Sequence, residues 1–186
     1  IHVWPARSTS TTPPAEAACR CALSELRHLQ RTVILGIGNV LMQDEGAGVH
    51  AVRAIAEQAL GPGFEVVDGG TLGIELLPII EDAGSLILID AARFGGAPGD
   101  VRAFRGQELN GTYGGHVSPH QAGAADLIAV ARLTGALPER CTLFGIAPLE
   151  IGFGLELSGP VAGALPALIE AVLAEARFFS EVPANA

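Results

Sequence analysis

Lysine is absent from the 186 residues, and all 11 basic side chains are arginine. A P-loop lysine, a Schiff-base lysine for pyridoxal phosphate and a catalytic amine are thereby excluded. Positive charge is scarce altogether: 20 acidic residues leave a formal net charge of −9. With no basic field to hold a phosphate backbone, the composition argues against nucleic acid as a partner. Cysteine is limited to Cys19, Cys21 and Cys141, too few and too badly spaced for a disulfide framework or a four-thiolate zinc site. That fits a reducing, cytoplasmic setting. Long apolar runs are missing too. The longest are interrupted by Asp90 or by Glu170 and Glu175, short of the roughly 20 apolar residues a membrane-spanning helix needs, so no membrane insertion is expected.

What is present is enough apolar material, 49% of residues, for one sizeable core. Residues 1–31 stand apart, with Arg7, Arg20, Arg27 and Arg31 against only Glu16 and Glu25, and with a Ser/Thr/Pro run that includes Pro13 and Pro14. They are expected to form a poorly ordered extension, followed by a single α/β domain over residues 32–180 and a short tail, 181–186. From Thr32 onward apolar strands alternate with helical patterns, which predicts a layered α/β domain on a mostly parallel sheet of about five strands. Strands are predicted over Thr32 to Ile37, Phe64 to Asp68, Ser85 to Asp90 and Cys141 to Ile146, with an edge strand over Asp100 to Arg105. Helices are predicted over Asp44 to Leu60, Thr71 to Asp82 with a bend near Pro78, Pro119 to Thr134, and Ser158 to Phe178.

In an open parallel sheet the functional crevice lies beyond the carboxyl ends of the strands, and polar groups collect there. After the first strand comes Gly36-Ile37-Gly38-Asn39-Val40-Leu41-Met42-Gln43-Asp44-Glu45-Gly46-Ala47-Gly48; after the second, Asp68-Gly69-Gly70-Thr71; the third ends in Asp90-Ala91. Asp44 has the form of an N-cap with Glu45 in the first turn. Asp90 ends an apolar strand, where a carboxylate must find a cation, a set of donors or water. Ser118-Pro119-His120-Gln121 has the form of a capping box, which puts His120 at a helix start that favours the neutral, metal-binding imidazole. Glu45, Asp90 and His120 together offer two carboxylates and one imidazole, a set compatible with nickel, iron, manganese or zinc.

Covalent catalysis is disfavoured: no Gly-x-Ser-x-Gly elbow occurs, Ser118 and Ser158 read as helix caps, and Cys141 opens a core strand. A dinucleotide site is disfavoured as well, because Leu41 stands at the third glycine position and Asp44 and Glu45 would repel a pyrophosphate.

These blocks, with Pro98-Gly99 and Gly145-Ile146-Ala147-Pro148, resemble the hydrogenase maturation proteases, endopeptidases that trim the large subunit of nickel-iron hydrogenases. The resemblance spans roughly residues 32–176 and leaves the N-terminal extension without counterpart. It implies a three-layer α/β/α sandwich, metal ligands matching Glu45, Asp90 and His120, and a nickel-iron hydrogenase large-subunit precursor as partner. The implied activity is removal of a C-terminal extension after nickel insertion, with nickel carried by the precursor. A monomer that docks transiently is expected. Within this frame Asp68 is the candidate general base, alternatively a turn-holding residue; Gly69 and Gly70 would let a peptide backbone approach, beside Thr71; Asn39 and Asp44 would orient Glu45. A nickel-dependent chaperone that does not cut and a Rossmann-like oxidoreductase are the rival expectations.

Overall fold

Successive side chains of a strand face opposite ways, and the apolar runs of this chain use both directions. The computed structural model describes residues 31–58, 60–110 and 123–181. Its strands are β1 (Thr32–Ile37), β2 (Phe64–Gly70), β3 (Ser85–Ala91), β4 (Val101–Arg105) and β5 (Cys141–Ile146). Its helices are α1 (Ala47–Ala56), α2 (Leu77–Glu81), α3 (Ala124–Thr134) and α4 (Gly159–Glu181). The strands form one sheet in the order β2-β1-β3-β5-β4. All pair in parallel except β4, which runs antiparallel to β5 at one edge.

Val33, Leu35, Leu86 and Leu88 face one layer, where Leu76, Ile80, Leu127 and Ile128 cover them. Ile34, Ile87 and Ile89 face the other, against Val52 and Ile55 of α1 and Leu168 and Val172 of α4. The result is the expected α/β/α sandwich, with β1 and β3 covered on both sides. No helix among the described residues is long and apolar enough to cross a membrane. Both ends of the sheet carry ion pairs. Arg31 pairs with Glu65 of β2, while on β4 Arg102 pairs with Glu108 and Arg105 reaches Glu175 of α4 at 2.8 Å.

Several boundaries differ from the sequence expectation for identifiable reasons. The first helix does not start at Asp44. Gln43–Gly46 is a 3₁₀ turn and α1 begins only at Ala47, because the Asp44 carboxylate bonds to a distant loop and leaves the helix uncapped. The segment over 71–82 splits into a 3₁₀ turn, Gly73–Leu76, and the short α2. Gly73 at φ +55° keeps Thr71 and Leu72 out of the helical path, and Pro78 sits in the first turn of α2, where its missing N–H costs nothing. The described part of the third helix begins at Ala124 after an extended Gly123. The expected start, Ser118-Pro119-His120-Gln121, lies outside the described residues, as do Cys19 and Cys21. Arg31 belongs to the domain: its carbonyl accepts from the amides of Gly84 and Ser85.

The glycines after β1 serve backbone proximity. A Cβ on Gly48 would lie 2.3 Å from the Ile89 carbonyl oxygen and 2.4 Å from that of Ile37, so α1 rests directly on the ends of β1 and β3. Gly38, at φ +136°, lies so close to the Glu45 carbonyl that no side chain fits between them. Gly48→Ala should therefore cost about 1–3 kcal/mol and lower Tm by several degrees, at roughly 2–4 °C per kcal/mol for a chain of this size. Gly61→Ala, where an added Cβ meets nothing within 4 Å, should leave thermal unfolding unchanged.

Candidate functional site

The close seat of α1 brings the turn before it over the carboxyl ends of β1 and β3. Glu45 is only 6% exposed, and its Oε2 is buried without a hydrogen-bond partner among the described residues. Burial raises its pKa. Asp90 leaves β3 at the same rim, where its Oδ2 accepts from the Ala124 amide at 3.0 Å and so caps the start of α3. Burial, opposed by amide hydrogen bonds from Ala124 and Ala91 and reinforced by the nearby Glu45 charge, pushes the Asp90 pKa from 3.8 up to about 7. The structure thus brings together Glu45 and Asp90. The third residue of the expected set, His120, lies outside the described residues, and no group of three metal-binding side chains occurs among those described.

Asp44 turns away from this pair. It is fully buried and accepts four hydrogen bonds, from the amides of Leu149, Glu150 and Ser158 and from the Ser158 hydroxyl, at 2.7–2.9 Å. Burial alone would raise its pKa, but these donors together bring it below the usual value. Asn39 closes the turn after β1: its Oδ1 accepts from Leu41 and its carbonyl from Met42. Both residues hold the 39–46 turn that carries Glu45. Ser158 likewise gives its hydroxyl to Asp44, while its carbonyl accepts from Ala162 to begin α4. The loop over 149–158 was missed in the sequence because nothing local marks its amides as the partners of an acid more than a hundred residues earlier.

At the end of β2, Asp68 is held from two sides. Its Oδ1 accepts from the Gly70 amide at 3.1 Å and its Oδ2 from Arg53 Nε at 2.9 Å, so the contacts present are those of a turn-holding residue. Gly69 is buried, and a Cβ there would press on Leu35 and Leu76; its bareness is used by the core. Gly70, at φ +48°, is open, with nothing but the Asp68 carboxylate near a Cβ. Thr71 is exposed beside it. Cys141 is buried at the start of β5, far from this rim, and burial pushes its thiol up to about 12, an inert group.

What this rim can do follows from its charges. A buried carboxylate without donors is costly when ionised, and it is relieved either by a proton or by a cation. Glu45 is in that position at Oε2, and Asp90, though it accepts from two amides, is held toward its protonated form by burial and by the Glu45 charge; a pair of this kind releases its proton when a cation arrives.

The model of the family described as hydrogenase maturation protease matches residues 49–175. The chain belongs to the hydrogenase maturation protease family. Among curated members, the hydrogenase expression/formation protein HupD of Rhodobacter capsulatus is 42% identical, over 80% of this chain and 72% of its own length. The hydrogenase 2 maturation protease of Escherichia coli K12 is 36% identical, over 79% of this chain and 91% of its own. Among solved structures, the E. coli hydrogenase maturating endopeptidase HybD superposes with a TM-score of 0.72 at 35% identity, covering 80% of this chain and 93% of that one. A [NiFe] hydrogenase maturation protease HybD from Thermococcus kodakarensis gives 0.59 at 28% identity, covering 77% and 97%. The chain is accordingly an endopeptidase, and the glycines after β1 serve helix packing in a protease fold.

The unfolded chain ionises Asp90 near 3.8, whereas the fold keeps the proton up to about 7. The fold binds the extra proton in that window, so stability from this group is complete below it and lost as pH rises through it. Asp90→Asn, which has no proton to lose, should melt a few degrees above the wild type at about pH 8 in chelator-treated buffer. The gap should close toward about pH 4, as read by Tm across a pH series.

Proposed function

We propose that this hydrogenase maturation protease removes the C-terminal extension of a nickel-iron hydrogenase large-subunit precursor after nickel insertion. The observation that carries the proposal is the buried Glu45 Oε2, without a donor among the described residues, beside the protonatable Asp90. Such a pair gains from a divalent cation what it lacks in hydrogen bonds. Nickel is assigned to the substrate: the precursor presents the metal, and Glu45 and Asp90 give up their proton and complete its oxygen coordination. His120 is assigned as the imidazole donor; it stands four residues before Ala124, whose amide Asp90 holds. Carboxylate and imidazole donors together suit nickel. Gly70 leaves the rim open for the backbone that carries the scissile bond, and Asp68 holds the turn on which Gly70 sits.

The test is incubation of the protein with nickel-loaded and nickel-free precursor, reading the C-terminus by intact mass. The loaded form should be shortened and the empty form left whole. Cleavage of both forms would remove nickel as the recognition element, and binding without cleavage would make the protein a chaperone. Glu45→Gln, Asp90→Asn and His120→Ala should each slow processing by about a hundredfold or more without lowering Tm.

Asp68 is separable from the metal-facing residues. Asp68→Asn should keep processing within about threefold and cost at most about 1 kcal/mol, the scale of an exposed ion pair with Arg53. Abolished cleavage in a folded Asp68→Asn protein would make Asp68 the general base.

A further inference from the structure

The loop between β5 and α4 is held with unusual firmness against the turn that carries Glu45. Gln43 donates its amide to the Gly154 carbonyl at 2.9 Å and Gly154 donates to Leu41 at 3.0 Å, forming a one-residue parallel bridge between Met42 and Gly154. The four bonds to Asp44 fix both ends of the same loop. Gln43 Nε2 donates to Glu150 at 3.2 Å, and the Gln43 side chain lies against Gly152 and Gly154, where a Cβ would meet it at 3.1 and 2.8 Å. A loop restrained this way is not free to fold its apolar side chains inward. It presents Phe153 94% exposed, Leu155 66% and Leu149 51%, with Leu41 across the bridge at 56%.

Single exposed leucines are ordinary, but a phenylalanine displayed almost completely on an immobilised loop, among three exposed leucines, marks a surface that is covered in use. We infer that Leu41, Leu149, Phe153 and Leu155 form the docking surface for an extended, apolar stretch of the precursor polypeptide. The inference rests on the proposed precursor processing and names how the same site holds its substrate. Three features point to this occupant. The surface is continuous with the acid pair, since Glu45 follows the bridging residues Met42 and Gln43 in the chain. Segments 39–46 and 147–158 contain Asp44, Glu45, Glu150 and Glu156 and no arginine, which favours a segment free of acidic side chains. The patch is also small. One aromatic ring buries about 150–250 Å², so with three leucines the whole covers a few hundred Å². Counted on both partners that reaches at most about the 1,000 Å² at which interfaces between two folded proteins begin, which suits a single peptide segment.

The experiment compares wild type with the double variant Phe153→Ser/Leu155→Ser and with Leu133→Ser, an 87% exposed residue on α3 that controls for loss of surface apolarity alone. Steady-state cleavage of nickel-loaded precursor is read by intact mass, precursor affinity is read by calorimetry in the slow-cutting Glu45→Gln background, and mass in solution is read by light scattering. The double variant should raise KM, and weaken binding in that background, by about tenfold, with kcat within twofold, Tm unchanged and the control like wild type. Unchanged KM and affinity would overturn the docking surface. So would a wild-type dimer that the double variant converts to monomer, because the occupant would then be a second copy. If wild type binds the precursor without cutting it and the double variant weakens that binding, the docking surface stands and the processing activity falls. A precursor neither bound nor cut overturns both.

Discussion

The arrangement depends on how closely one helix can approach a sheet. Only because positions 36 and 48 lack side chains does α1 reach the ends of β1 and β3, with a Cβ on Gly36 coming within 2.2 Å of the Gly48 carbonyl oxygen. That approach carries the preceding turn over the rim and delivers Glu45 into the electrostatic reach of Asp90. A helix held a few ångströms higher by alanines would leave two acids that never sense one another. The pairing of the two acids is thus set by backbone packing before their own side chains come into play.

The same turn separates two adjacent carboxylates into opposite environments. Asp44 receives four donors and stays ionised in full burial, whereas Glu45 receives none at Oε2 among the described residues and is driven toward its protonated form. One residue of separation decides it, since consecutive positions of a tight turn point to different sides. Asp44 lowers the energy of the folded chain; Glu45 raises it. The cost of the unsatisfied acid is small beside the burial contributed by the two apolar layers, each fully buried aliphatic side chain being worth about 1.5–3 kcal/mol. An enclosed core allows one rim position to be tuned for ligand binding at the expense of stability.

Much of this was legible in the sequence, for reasons that differ by element. The central strands announce themselves because Leu86-Ile87-Leu88-Ile89 is apolar on both faces, which only a strand covered from both sides tolerates. Glu45 and Asp90 were legible from chain topology, since acids that follow parallel strands arrive at one rim. The first helix start was misplaced because Asp44 has the local form of an N-cap, and its true partners, Leu149, Glu150 and Ser158, are far away in the chain. The helix over 71–82 was overextended because the break at Gly73 depends on a positive φ that residue identity permits but does not dictate. Asp68 was legible as a polar residue at the end of β2, but its contact with Arg53 on helix α1 was not, because the two meet only through the packing of that helix on the sheet.

The charged edges of the sheet have a bearing on life at high concentration. An outermost strand leaves a row of backbone groups able to recruit a strand from another molecule. Here β4 is short and antiparallel, its Arg102 and Arg105 locked to Glu108 and Glu175, and Arg31 with Glu65 guards the opposite margin. An incoming strand would have to break ion pairs and desolvate guanidinium groups before gaining a single ladder bond. A chain built on strands as apolar as Leu86–Ile89 is thereby guarded at both open ends of its sheet against strand-to-strand association.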